Sequence, residues 1–473
     1  MLETIINFLN ALLWGKILVY GLVGAGIFLT IRLAFIQVTG FKHSIKLMTI
    51  SREKSGDGLS SFQVFCTSMA ARVGAGNMAG VAVAISAGGP GAVFWMWLIA
   101  VLGMATAMTE ATLAQVYKVK DPEGVYRGGP AYYMEKGLGQ RWMGILFSIL
   151  LIISFGFIFS AIQANTITSA ITSLYDIDAS WIGYGIVVAT AFVIIGGLKK
   201  VAYVSELLVP FMALAYILVA FVIVLMNISE LPGILMLVIK SAFGLQEVAA
   251  GGVAYAVSQA MQSGIARGLF SNEAGMGSAA NIAASATPNP NHPASQGYVQ
   301  MVGVFIDTIV ICTATAALIM IAGDTGGTHD GIAITVHALK NEIGEWGGIF
   351  FSFAILLFCF TSIIANYSYA ETNIIFLAKK GKLLINLLRV GVLGMVMFGA
   401  IAKIDLVWSL ADVSMGLMAT VNIVALMLLS GVAVKVVRDY KQQVANGDEP
   451  EFDIKKFPEI SNQLKDSIWD KKD

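Results

Sequence analysis

Ala71-Arg72-Val73-Gly74-Ala75-Gly76-Asn77-Met78-Ala79-Gly80 returns, in the pattern A-R-x-x-x-x-N-x-A-G, as Ala266-Arg267-Gly268-Leu269-Phe270-Ser271-Asn272-Glu273-Ala274-Gly275. Each copy lies inside a long apolar stretch. An unpaired arginine there costs roughly 2.5–3.5 kcal/mol on insertion scales. A glycine inside a helix costs a further ~0.5–1 kcal/mol relative to alanine. A pattern that carries both, twice, marks two corresponding helices that are interrupted. Such a pair is the best sequence pointer to a binding site within a membrane.

The surrounding composition fixes the solvent. Of 473 residues, 57% are hydrophobic and 13% charged, with a mean hydropathy of +0.77. Soluble chains carry about 25% charged residues. The deficit, with many apolar runs of about 18 residues or more, predicts an all-α polytopic membrane protein. Formal net charge is +0, which gives no reason to expect nucleic acid as a partner. Cys66, Cys312 and Cys359 stand in apolar stretches without metal-ligand spacing,. The flanks of the first apolar stretch do not resemble a cleavable signal peptide. His43, His292, His329 and His337 fall in loops or at helix ends, and no H-E-x-x-H, G-x-S-x-G or phosphate-loop pattern occurs,. An enzyme is therefore not expected, and neither is a cofactor. An ATP-driven pump would need a soluble nucleotide domain, for which the chain has no room. A channel would need a repeated filter sequence or a short ring-forming subunit.

Eleven spanning helices are expected, near 13–36, 61–87, 92–117, 142–171, 181–198, 201–226, 250–283, 297–322, 346–370, 384–402 and 406–434. Basic residues in short loops stay on the cytoplasmic side. With the N-terminus outside, the inner loops hold Lys42, Lys46, Arg52 and Lys54; then Lys118, Lys120, Arg127, Lys136 and Arg141; then Lys199 and Lys200; then Lys379, Lys380 and Lys382. The outer loops hold Lys240, Lys340 and Lys403, with Lys16 at the N-terminal end. The bias keeps one sign throughout and puts the C-terminus in the cytoplasm of a multi-pass plasma-membrane protein. One transmembrane domain is expected over 1–440: an extra helix at 13–36, a first half at 61–226 and a second at 250–434. Segment 323–345 reads as the longest outer loop. Residues 441–473 read as a charged cytoplasmic tail, poorly ordered.

The motif copies fall in the first and sixth helices after the extra one. Five helices apart means opposite directions across the bilayer, so the ten core helices read as two inverted halves. A break frees backbone N–H and C=O groups, which persist in a membrane only within protein or beside a polar cavity. Freed N–H groups at a half-helix start suit an anion, and freed carbonyls a cation. Two facing breaks suit a zwitterion and a metal cation together. The alternative is that Gly80, Gly275 and their small neighbours only allow close helix packing.

At these residues the chain resembles the alanine/glycine:cation symporter family, also called sodium:alanine symporters. The resemblance rests on Ala70–Gly80 (A-A-R-V-G-A-G-N-M-A-G), Gly88–Trp97 (G-G-P-G-A-V-F-W-M-W), Arg127–Met134 (R-G-G-P-A-Y-Y-M) and Gly268–Ala280 (G-L-F-S-N-E-A-G-M-G-S-A-A), and covers roughly 10–440. It implies the leucine-transporter-type five-plus-five inverted repeat with an extra N-terminal helix. It also implies a substrate site between core helices one, three and six. There a substrate carboxylate would meet the backbone of Gly74, Ala75, Gly76 and Asn77. The ammonium would meet carbonyls near Phe270, Ser271 and Asn272, and Gln163, whose other role would be an interhelical hydrogen bond. Phe270 and Met276 would shape the side-chain pocket or simply pack. A sodium ion would use the Val73 carbonyl, the Asn77 amide oxygen and the Thr361 and Ser362 hydroxyls, unless those hydroxyls bond their own helix.

The buried arginines need partners. Arg72 with Glu273, and Arg267 with Asp412, are the expected inner and outer pairs, serving as gates or as fixed salt bridges. Glu110 and Asp307 are further intramembrane acids with structural bonding and proton coupling both open. The expected function is secondary active symport: sodium flows inward with a small neutral amino acid, alanine or glycine first, by alternating access. Serine or glutamine as substrate, and a proton as the coupling ion, are the alternatives. The expected partners are thus a small neutral amino acid, a sodium ion and the lipid bilayer.

Overall fold

A chain this apolar must pair its backbone groups within each segment, and helices do so. The computed structural model describes residues 2–53, 58–245, 250–323, 331–378, 381–402, 404–464 and 468–469. The principal helices are α1 (Thr4–Arg32), α2 (Ser61–Arg72), α3 (Gly76–Gly88), α4 (Ala92–Val116), α5 (Arg141–Thr172), α6 (Ala179–Ile194), α7 (Gly197–Met226), α8 (Ala250–Asn272), α9 (Ser278–Ala283), α10 (Pro293–Ile321), α11 (Glu345–Leu377), α12 (Lys382–Ile401) and α13 (Ile404–Asn446).

Among the described residues, eight helices are long and apolar enough to cross a membrane, or nine if the bent pair α2 and α3 is one span. Two of the eleven expected spans fall short of that measure. At 181–198 the helix α6 has only 16 residues. At 250–283 the segment is rich in Gly, Ser and Gln and turns after Asn272. The expected outer loop at 323–345 also differs, because Ile332–Ile343 is helical. Residues 324–330 of that segment lie outside the described residues, as do Lys379, Lys380 and Lys403.

The bundle has the polarity of a membrane protein. Asn77, Gln163, Glu110 and Asp307 are buried, whereas Phe192, Phe211, Leu218 and Val390 are exposed. Exposed apolar side chains and buried polar ones are the reverse of a soluble domain. One hydrophobic core runs from Leu13 to Trp469. Within it α4 packs on α8 and α10, α5 on α11 and α12, and α2 on α7 and α11. The extra helix α1 leans on α4 and α13.

The tail is folded where it is described, against expectation. Helix α13 continues to Asn446, and Phe452, Ile454, Phe457, Ile460, Leu464 and Trp469 are buried in the main core. The lysines and acids between them keep the mean hydropathy low and conceal this apolar spacing. A hairpin of Val119–Lys120 with Tyr126–Arg127 completes the same end of the bundle. It carries buried Arg127, whose Nε donates to Asp121 Oδ2 at 3.1 Å and whose Nη1 donates to Thr372 Oγ1 on α11 at 3.1 Å.

Candidate functional site

Helix α2 opens with a reciprocal cap: the Ser60 hydroxyl accepts from Gln63 N, and the Gln63 side chain accepts from Ser60 N. It ends at Arg72, because Val73 swings to extended backbone (φ −79°, ψ 96°). After three residues α3 starts at Gly76, and the two helices meet at 49°. The groups freed by the break are met by neutral side chains. Gly74 N donates to Asn77 Oδ1 at 3.0 Å, and Ala75 N to Gln163 Oε1 at 2.9 Å. Gln163 thus sits on the first break itself. Ser362 Oγ on α11 donates to Ala70 O at 2.8 Å and lies 3.3 Å from Val73 O. Thr361 Oγ1 donates to Phe358 O at 2.9 Å, a carbonyl that Ser362 also reaches.

Gly74 is required by this arrangement. A Cβ there would collide with Ser362 Oγ and Gln163 Oε1. At Gly76 it would meet the Phe270 ring at 2.9 Å and Ser271 Cα at 3.1 Å. At Gly80 it would meet nothing closer than 3.7 Å.

The second break is built differently. Glu273 has φ +61°, Gly275 +108° and Gly277 +77°, a run through left-handed backbone before α9 starts. The freed amides converge on a buried carboxylate: Gly275 N and Gly277 N both donate to Glu110 Oε1 on α4 at 3.0 Å. Asn422 Nδ2 on α13 donates to the same oxygen at 2.7 Å and to Gly275 O at 2.9 Å. Tyr133 OH donates to Asn422 Oδ1. Met276 is buried inside this turn.

A polar cluster joins the two breaks. Asn77 Nδ2 donates to Asp307 Oδ1 at 2.8 Å and reaches Ser271 Oγ at 3.1 Å. Asp307 Oδ2 accepts from Ser271 Oγ at 2.6 Å and from Thr308 Oγ1 at 2.8 Å. Asn272 Nδ2 donates to Thr308 Oγ1 at 3.3 Å. Cys312 Sγ lies 3.1 Å from Ser271 Oγ. Asp307 occupies a wider π-type turn of α10, a distortion frequent at functional sites,.

Phe270 closes one side of the cluster. Its ring lies 4.7 Å from Phe159 and 5.0 Å from Trp408. The Arg267 guanidinium stands 4.8 Å over the Trp408 ring, and its Nη2 donates to Asp412 Oδ2 at 2.6 Å. The other arginine behaves differently. Arg72 and Glu273 form no ion pair within 4.0 Å, contrary to expectation. Glu273 Oε2 instead accepts from Ser278 Oγ at 2.6 Å, and Arg72 Nη1 donates to Gln300 O at 3.4 Å.

Of the residues expected from sequence, Gly74–Asn77, Gln163, Ser362, Ser271 and Asn272 come together around the two breaks, whereas Thr361 bonds its own helix and Arg267 pairs with Asp412 beside Trp408. Sequence reasoning overlooked the Ala70 carbonyl and Asn422. It flagged Glu110 and Asp307 as costly intramembrane acids without finding what they bond. An asparagine at 422 inside an apolar run was the available signal for the Glu110 partner.

Chemically, carbonyl and hydroxyl oxygens at the C-terminal, negative end of α2 suit a hard cation. The N-terminal end of α3, three residues away, suits an anion. Cavities of ≈ 410 and ≈ 380 Å³ beside Arg127 and Glu371 lie apart from both breaks.

Comparison with known proteins agrees with this architecture. MhsT, solved in complex with L-phenylalanine, has a leucine-transporter-type fold. Its chain superposes at a TM-score of 0.50 and 13% identity over 82% of this chain and 99% of its own. The probable sodium/glutamine symporter GlnT of Bacillus subtilis (strain 168) is 47% identical over 96% of this chain and 93% of its own length. The amino-acid carrier protein AlsT of the same organism is 47% identical over 97% of both chains. The family described as Sodium:alanine symporter family matches residues 1–454. The chain is a multi-pass membrane transporter and not an enzyme, and it belongs to the sodium:alanine symporter family.

Proposed function

We propose that the protein couples inward sodium flow to uptake of a small neutral amino acid, alanine or glycine first, by alternating access across the plasma membrane. The observation that carries the proposal is the Ser362 hydroxyl set against the Ala70 and Val73 carbonyls, within a few residues of the Gly74–Asn77 backbone. A sodium ion would take those oxygens, with Thr361 and the Asn77 amide oxygen as further ligands. The substrate carboxylate would exchange with the Asn77 and Gln163 side chains for the amides of Gly74 and Ala75. Its ammonium would lie against Phe270–Asn272, with Met276 behind. Neutral side chains hold these amides at present, so a carboxylate gains charge-assisted bonds in exchange for ordinary ones.

In this proposal the chain crosses the membrane eleven times, with α2/α3 and α8/α9 as corresponding broken helices of inverted five-helix halves. The outside N-terminus and cytoplasmic C-terminus follow from the basic loops. The Arg267–Asp412 pair, with Trp408, is the outer gate. Arg72 and Glu273 belong to the inner one, paired only in a state other than this one.

One cation entering through ~100 mV supplies about 2.3 kcal/mol. A tenfold ion gradient adds about 1.4 kcal/mol. Together they sustain accumulation of a zwitterion by roughly several hundred-fold, so one ion is enough.

A second substrate, glutamine, is favoured by the 47% identity to GlnT, which is named for it. Uptake of labelled alanine, glycine, serine and glutamine into proteoliposomes tests all of this, with a sodium, lithium or proton gradient imposed in turn. Sodium-driven alanine or glycine uptake is expected. Uptake driven equally by protons alone would remove the sodium claim, and steady ion current without substrate would favour a channel.

A further inference from the structure

The loop end of the bundle ties the two broken helices together. Thr287 N donates to Leu59 O at 2.9 Å, so the segment leaving α9 pairs with the residue entering α2. Helix α4 reinforces this knot. Gln115 Nε2 donates to Ala283 O at 2.6 Å and Ala286 O at 3.1 Å, and Lys118 Nζ to Ala286 O at 2.8 Å. A substrate leaving toward this end has to part these segments.

The folded tail lies over the knot. Phe452 N donates to Asn291 O at 3.1 Å, and its ring packs on His292 and Trp469, each at 5.3 Å. Trp469 Nε1 donates to Gln115 O at 3.1 Å, while Lys118 Nζ stands 4.7 Å over its ring. Gln463 bridges Tyr117 OH at 2.7 Å and Gly137 O at 3.2 Å. Ile454 and Ile460 are buried beneath.

The tail therefore holds both α4 and the 283–292 turn that leaves α9, yet joins α13 through residues 444–449, all exposed. Its ion pairs to α13 are Lys435 with Glu459, exposed on both sides, and Lys456 with Asp439 at 3.8 Å, exposed on the lysine side; such pairs contribute little. Burial also pushes Lys118 down to about 7, so a proton on that amine works against the closed arrangement.

We propose that residues 451–464 with Trp469 form a latch over the ends of the two broken helices, and that each transport cycle loosens it from α4 and the 283–292 turn. The latch rests on the alternating-access proposal above. It does not depend on which amino acid is carried.

Lys120 and Gln463 are exposed and line one cavity of ≈ 480 Å³, so they offer a bridge between the hairpin that follows α4 and the tail. The test is the full chain carrying Lys120→Cys and Gln463→Cys, joined by a short reducible bis-maleimide. Cys66, Cys312 and Cys359 are buried. Sodium-dependent binding of labelled alanine should stay within about twofold, uptake should fall at least about tenfold, and reduction should restore it. Uptake at the uncrosslinked rate would overturn the latch. Absence of both binding and uptake of alanine, glycine, serine and glutamine alike before crosslinking would instead overturn the transport proposal, and the latch with it.

A second measurement does not depend on transport. With Ser285→Cys as a reporter behind the tail, Phe452→Ala and Trp469→Ala together should raise maleimide labelling severalfold. An unchanged rate would count against the latch.

Discussion

The two motif copies break their helices in different ways. The first break, at 73–75, is an extended kink whose freed groups meet neutral amides and a hydroxyl from Asn77, Gln163 and Ser362. The second, at 273–277, is a left-handed run whose amides end on one carboxylate, Glu110, itself held by Asn422. Neutral bonds exchange readily for a ligand, whereas a buried carboxylate with three donors is expensive to disturb. On the proposed function the two copies divide the labour: the amides of the first break would exchange their partners for a ligand, and the turn held by Glu110 would serve as a pivot.

The largest effect that would test this contrast is at the pivot. Glu110→Ala leaves three buried donors unpaired, each worth about 1–3 kcal/mol. Thermal unfolding in detergent should show a loss of roughly 3–9 kcal/mol. A variant as stable as the parent would mean the second break is not held by Glu110.

Gly74→Ala comes next. Its methyl displaces both Ser362 and Gln163, and substrate binding should weaken roughly a hundredfold or more, about 2.7 kcal/mol. Gly80→Ala, where the added methyl makes only ordinary contacts at 3.7 and 3.9 Å, serves as the matched control and should stay within about twofold. Equal effects at both glycines would reduce the first break to ordinary helix packing.

Ser362→Ala should raise the sodium concentration for half-maximal uptake about tenfold, near 1.4 kcal/mol, with little change in unfolding temperature. That pattern, function lost and stability kept, is the opposite of the one expected for Glu110.

Asp412→Asn should be milder. Its pair with Arg267 is partly exposed, at 11% and 17% for the two side chains, and Trp408 keeps its contact with the arginine. A loss of about 1 kcal/mol is expected, read as a severalfold change in uptake.

The smallest predicted change is in pH. Lys118 is held down to about 7 under the tail and recovers its usual value near 10.4 when the tail lifts. The lifted form then binds more protons between those values, so closure strengthens as pH rises. Protection of residues 451–464 from hydrogen exchange should grow about twofold from about pH 7 to about 7.5, and Lys118→Met should abolish the trend.

Much of this was legible from residues alone. Arginine, asparagine and glycine are conspicuous in an apolar chain, and they located both breaks. What stayed hidden was long-range pairing. Nothing in the strings around Glu110 and Asn422 says that α4 and α13 meet at Gly275. The Arg72–Glu273 pair was inferred from shared depth, but Ser278 lies closer to that carboxylate and takes its oxygen. In the tail, charge hid the apolar spacing. Helix α6 is shorter than its apolar run had promised, and α8 is too polar to pass as a span by composition.

Trp408 touches both a phenylalanine ring and a guanidinium, nearly out of contact with solvent. An indole so placed emits according to its neighbours, and parting Arg267 from Phe270 would change that emission. The molecule thereby carries a native optical gauge at the mouth of the first break, one that reports motion there without any added dye.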